Sequence, residues 1–118
     1  MNSTFKIEKN KIIFSDTEIE FEFEIDYCIT MGDKLIVLLT IPISIKYNEN
    51  VYCVSLSQKK VLWQIAKRKY KMEPYTSIHC KYNGIATYDN KLRLNNWCDA
   101  FIIVDPENGN VLDEGTSR

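Results

Sequence analysis

Residues 18–26 read Glu-Ile-Glu-Phe-Glu-Phe-Glu-Ile-Asp, an unbroken alternation of acidic and apolar side chains. A helix would scatter this pattern around its circumference, whereas an extended chain sends successive side chains to opposite faces. The alternation therefore predicts a strand with Ile19, Phe21, Phe23 and Ile25 on a buried face and Glu18, Glu20, Glu22, Glu24 and Asp26 on the other. Same-face carboxylates would stand about 6.7 Å apart, repelling by about 0.6 kcal/mol per neighbouring pair in water and less in salt. Burying each Phe or Ile contributes about 1.5–3 kcal/mol, so the strand tolerates the repulsion. Folding alone does not ask for five acids in line. They call for basic neighbours on adjacent strands or for a basic partner molecule.

The rest of the chain reads as short strands punctuated by turns. Phe5–Glu8 and Ile12–Phe14 flank Lys9-Asn10-Lys11, and Met31-Gly32-Asp33-Lys34 turns between Tyr27–Thr30 and Leu35–Ile41. Pro42 marks an edge or a crossover, since proline cannot donate to a ladder. Val51–Leu56 and Val61–Ala66 flank Ser57-Gln58-Lys59-Lys60, and Lys67–Thr76 is a basic connection. Ser77–Tyr82, Ile85–Tyr88, Lys91–Trp97, Phe101–Val104 and Val111–Asp113 follow, with turns expected at Asn83-Gly84, Asp89-Asn90 and Pro106–Asn110. Trp63 and Trp97 read as core. Residues 57–71 also admit a helix, because Val61, Leu62, Ile65 and Ala66 would share one stripe after a Ser cap.

A shift of 50 residues aligns Val51–Leu56 with Phe101–Pro106 and Val61-Leu62 with Val111-Leu112 without a gap. The second copy carries Pro-Glu-Asn-Gly-Asn between its apolar runs, so the comparison favours a hairpin in the first copy as well. The expected fold is all-β: an antiparallel meander folded as a sandwich or a half-open barrel, with two similar units of about 50 residues. A chain of 118 residues points to a single β domain spanning 1–118.

Composition narrows the function. With 45% hydrophobic residues and 26% charged ones, the chain is that of a globular domain rather than a disordered one. The N-terminus lacks a basic stretch followed by an apolar core, and no apolar run approaches a membrane span, so a cytoplasmic location is expected. Cys28, Cys53, Cys80 and Cys98 contain no Cys-x-x-Cys pair, which argues for free thiols rather than zinc or disulfides. His79 is the only histidine, and no metal or cofactor is expected. Glycine-rich phosphate loops, Gly-x-Ser-x-Gly and His-Glu-x-x-His are all absent, so the chain does not read as an enzyme.

Charge is segregated although the net charge is only −1. Six acids and no base lie between Asp16 and Asp26, and six bases and no acid between Asn50 and Met72. Lys67, Arg68, Lys69, Tyr70 and Lys71 mix bases with an aromatic, as single-strand binders do, which makes a nucleic-acid-binding or regulatory module the alternative reading. The acidic segment would repel phosphates, which favours a protein partner with a basic groove.

The hairpins resemble those of bacterial propeller repeats through Val51, Tyr52, Val54, Val61, Leu62 and Trp63, and again through Ile102, Val104, Asp105, Gly109, Val111 and Leu112. Two blade-sized units cannot close a propeller ring. Along its whole length the chain also resembles small β-rich bacterial immunity-type proteins encoded beside polymorphic or contact-dependent toxins. Thr17–Phe23, Tyr47–Tyr52, Trp63-Gln64-Ile65 and Leu94–Asp99 carry that resemblance. It implies an immunity protein, a toxin inhibitor that binds its cognate toxin and blocks the active site. A nuclease is the expected target, since such an enzyme needs a positive groove. The partner-binding residues expected from charge are Glu18, Glu20, Glu22, Glu24 and Asp26.

Overall fold

A computed structural model describes residues 4–42, 44–45, 48–67, 81–98 and 100–116. Among them are eleven strands and no helix: β1 (Phe5–Glu8), β2 (Lys11–Phe14), β3 (Glu18–Glu20), β4 (Ile25–Met31), β5 (Lys34–Leu39), β6 (Val51–Ser55), β7 (Lys60–Gln64), β8 (Tyr82–Tyr88), β9 (Lys91–Asn96), β10 (Ala100–Val104) and β11 (Val111–Thr116). They form three antiparallel sheets with strand orders β1-β2-β3, β4-β5-β6-β7 and β8-β9-β10-β11, each a simple meander. Two-residue turns explain several hairpins. Asp89 and Asn90 both take positive φ (50° and 63°) between β8 and β9, and Gly32 takes φ 61° between β4 and β5.

The sheets stack in three layers, as a sandwich to which a third sheet is added. One core joins the middle sheet to the β8–β11 sheet through Ile36, Leu38, Val51, Cys53 and Trp63 against Ile85, Leu92, Leu94, Ile102 and Val104. The other joins it to β1–β3 through Leu35, Val37, Leu39 and Val54 against Ile12, Phe14 and Phe21. Alternate residues of β5 thus feed opposite cores, which accounts for its continuous apolar run Leu35–Leu39. No barrel closes. The fold is all-β, as expected.

The internal similarity has a structural counterpart. The 50-residue shift sets β6 and β7 against β10 and β11, the third and fourth strands of two four-stranded meanders. The first two strands match at a longer shift, because residues 40–50 between β5 and β6 outnumber residues 97–99 between β9 and β10. Residues 51–64 form a hairpin whose turn places Lys59 at φ 56°, so this part of the helix alternative does not form.

Polar anchors tie the layers together. The buried Asn50 side chain donates through Nδ2 to the Leu39 (3.0 Å) and Tyr82 (2.8 Å) carbonyls and accepts from the Tyr82 N–H (3.1 Å). Trp63 Nε1 donates to the Pro106 carbonyl at 2.8 Å, and Gly109 at φ 80° packs under the same indole. Lys59 spans to Asp16 at 2.7 Å, and Lys34 to Glu107 at 2.8 Å.

Three expectations outside the acidic segment need correction. Asn83-Gly84 is not a turn: β8 runs through it, with a bulge between Tyr82 and Gly84. A glycine inside a strand often marks such a bulge. Trp97 is 55% exposed rather than core, because the inward side chains Leu92, Leu94 and Asn96 exhaust β9 just before it. Cys98 is disulfide-bonded, whereas Cys28 and Cys53 are free thiols. Burial pushes those two up to about 11, so neither is a ready nucleophile at neutral pH.

Candidate functional site

The acidic segment keeps its predicted alternation but not its predicted strand. Glu18, Glu20, Glu22, Glu24 and Asp26 are all exposed, while Ile19, Phe21, Phe23 and Ile25 pack on the core between β1–β3 and the middle sheet. The ladder, however, ends at Glu20. Residues 21–24 form a strap that crosses from the first sheet to the second, where β4 begins. An edge strand of three residues leaves the chain free to change sheets while its apolar face stays on one core.

The strap is pinned at several points. The Phe21 N–H donates to the Asn10 carbonyl at 2.8 Å and the Ile25 N–H to the Lys9 carbonyl at 2.8 Å. Asn10 Nδ2 donates to the Phe21 carbonyl at 2.8 Å, and the Glu24 carbonyl accepts from the Thr40 N–H at 2.8 Å. The β1–β2 turn, with Lys9 at φ 55°, therefore serves as the clamp. The carboxylates project from a fixed backbone.

Bases among the described residues neutralise little of this charge. Glu18 pairs with Lys11 at 3.2 Å, and its hydrogen bond holds the Lys11 ammonium above the usual lysine value. Glu20 accepts a long hydrogen bond from Asn10 Nδ2 at 3.4 Å. Among the described residues, no ion pair engages Glu20, Glu22, Glu24 or Asp26. Of the basic alternative, Lys67 is exposed beyond β7; Arg68, Lys69, Tyr70 and Lys71 lie outside the described residues, as does His79.

Asp26 stands apart from the other four acids. It is the extra residue of a bulge in β4, since Ile25 pairs with Leu39 and Tyr27 with Leu38. The bulge brings Asp26 to the wall of a cleft of about 210 Å³, lined also by Leu39, Thr40, Ile41, Lys81, Tyr82, Asn83 and Trp97. Asn83, the bulged residue of β8, contributes from the other side. Lys81 is only 2% exposed, and its Nζ donates to the Pro42 carbonyl at 2.6 Å. Burial holds this ammonium below the usual lysine value. Charge counting along the chain identified Asp26, but not Lys81 or Trp97. The two bulges carry no firm sequence signal beyond Gly84.

Among the described residues no group of three His, Cys, Asp or Glu side chains could hold a metal ion. Nor is there among them a helix long and apolar enough to cross a membrane.

A family model described as Domain of unknown function (DUF7957) matches residues 2–116. The chain belongs to DUF7957. The match takes in the strap, both bulges and Trp97, so all the geometry above falls within the DUF7957 domain. No curated protein matches the chain.

Proposed function

We propose that this protein is a binding module, not an enzyme, that recognises a cationic protein through Glu18, Glu20, Glu22, Glu24 and Asp26. In the reading implied by the immunity-protein resemblance, the partner is a cognate toxin, a nuclease whose basic groove the carboxylates occupy. The supporting observation is that all five acids are exposed on a clamped backbone and four of them have no ion pair among the described residues. A row of carboxylates on a rigid frame accelerates encounter with a cationic surface and loses little entropy on docking. Phosphate-binding grooves present the complementary charge.

The experiment is co-expression with the product of the adjacent reading frame. Wild-type protein should protect cells and form a stoichiometric complex. The double reversal Glu20→Lys/Glu22→Lys should weaken that complex about a hundredfold through lost attraction and added repulsion. Equal protection and affinity would remove the acids from the account. Salt-sensitive retention of single-stranded RNA or DNA on a filter would instead favour the nucleic-acid reading through Lys67 and its neighbours.

A cytoplasmic site of action belongs to the same proposal. The disulfide at Cys98 pulls against it, because such bonds persist mainly in oxidising compartments. Alkylation of the protein in intact cells, read by mass spectrometry, would decide. Cys98 alkylated without prior reduction fits the cytoplasm; Cys98 protected until reductant is added contradicts it.

A further inference from the structure

The cleft between β4 and β8 is built by two irregularities rather than by regular pairing. Bulges in both strands put Asp26 and Asn83 on its wall, and Trp97 stands beside them with an exposed indole. Lys81 is the feature that asks for a ligand. An ammonium carries three donors, and among the described residues this one spends a single N–H, on the Pro42 carbonyl. That carbonyl already accepts the Ile45 N–H at 3.0 Å. No carboxylate among the described residues lies within ion-pair distance of Lys81. A buried cation lining a cleft, with two donors unspent among the described residues, is an incomplete electrostatic arrangement.

Charge balance selects the ligand. A simple anion would satisfy Lys81 but meet the Asp26 carboxylate. A simple cation would satisfy Asp26 but meet the Lys81 ammonium. A molecule bearing both charges satisfies the two walls together. The size agrees, since about 210 Å³ is smaller than the roughly 300–1,000 Å³ of clefts that take drug-sized molecules. The indole of Trp97 offers a flat apolar face to a side chain.

We propose that this cleft binds a free α-amino acid, its carboxylate on Lys81, its ammonium on Asp26 and an apolar or aromatic side chain against Trp97. The cleft adjoins the face proposed to dock a basic protein and shares Asp26 with it, while Lys81 and Trp97 belong to the cleft alone. Binding would supply the missing counter-charge and hold the neighbouring ends of β5, β8 and β9 together.

The test is titration of the purified chain with L-phenylalanine, N-acetyl-L-phenylalanine and L-phenylalaninamide, followed by the Trp97 indole NMR signal and by calorimetry. The free amino acid should bind saturably and move the Trp97 signal. Each blocked derivative lacks one charge and should bind about thirtyfold more weakly, as should the Lys81→Met variant. Asp26→Asn, at an exposed position, serves as a second variant that keeps the fold and should also weaken binding. Glu20→Lys/Glu22→Lys should bind the amino acid normally, so failure here and failure of the docking reading remain distinguishable. Absence of saturable binding at millimolar concentration, or equal binding of the three compounds, would overturn the proposal.

Discussion

Asp33 illustrates how one side chain sets a turn and a pH response. Its carboxylate accepts from Ser57 Oγ at 2.7 Å, the Ser57 N–H at 2.9 Å and Ser55 Oγ at 3.0 Å, tying the β4–β5 turn to the β6–β7 turn. These bonds, the Ser57 hydroxyl first, hold its carboxyl below the usual value of 3.8. A depressed carboxyl binds fewer protons folded than unfolded, so its contribution is complete above the unfolded value and disappears as pH falls through the folded one. Asp16, lowered chiefly by its hydrogen bond from Lys59, acts in the same direction. Urea midpoints measured from about pH 7 down to about pH 2 should therefore decline for the wild type. Asp33→Asn should start lower, and the two curves should converge in acid. Parallel curves would show that Asp33 contributes nothing through its charge.

At the scale of elements, the layers are held by a few contacts whose loss should be measurable. Asn50→Ala removes three buried hydrogen bonds, those to the Leu39 and Tyr82 carbonyls and that from the Tyr82 N–H. Chemical denaturation should report a loss of about 2–3 kcal/mol, since each unpaired buried group carries a desolvation penalty. A loss below 1 kcal/mol, on the order of one ordinary hydrogen bond, would mean that the layers do not depend on this anchor. Gly109→Ala should also destabilise, by about 1–3 kcal/mol, because φ 80° is strained for alanine and the added Cβ would stand 2.7 Å from the Trp63 ring. An unchanged midpoint would show that the β10–β11 turn can rearrange freely.

The elements were largely legible because their signals are local. Alternation at residues 18–26 gave the correct inward and outward faces, and Asp89-Asn90 and Gly32 marked their turns. The crossing of the strap at 21–24 was not legible, since an alternating pattern reads the same whether or not its backbone remains in a ladder. Trp97 reads as core in the sequence because a tryptophan next to a strand resembles core until the strand's end is known. Lys81 carries no sequence signal for a different reason: a lysine is buried by its surroundings in space, and nothing beside it in sequence announces them.

For the whole molecule, stacking three meanders places β5 between two cores and leaves the acidic strap outside, bridging the first two sheets. The site was half legible. Segregated charge pointed to the strap, whereas the cleft depends on two bulges and a sheet-to-sheet junction that no local pattern encodes. The arrangement makes the strap a surface feature whose alteration should leave both cores intact. Charge reversal at Glu20 and Glu22 is thus expected to preserve the folded state while acting on recognition. The most direct measurement is the dissociation constant of the complex with the adjacent reading frame's product, wild type against Glu20→Lys/Glu22→Lys. The account predicts an unchanged denaturation midpoint with affinity about a hundredfold weaker. An affinity within about twofold of wild type, at equal stability, would contradict it.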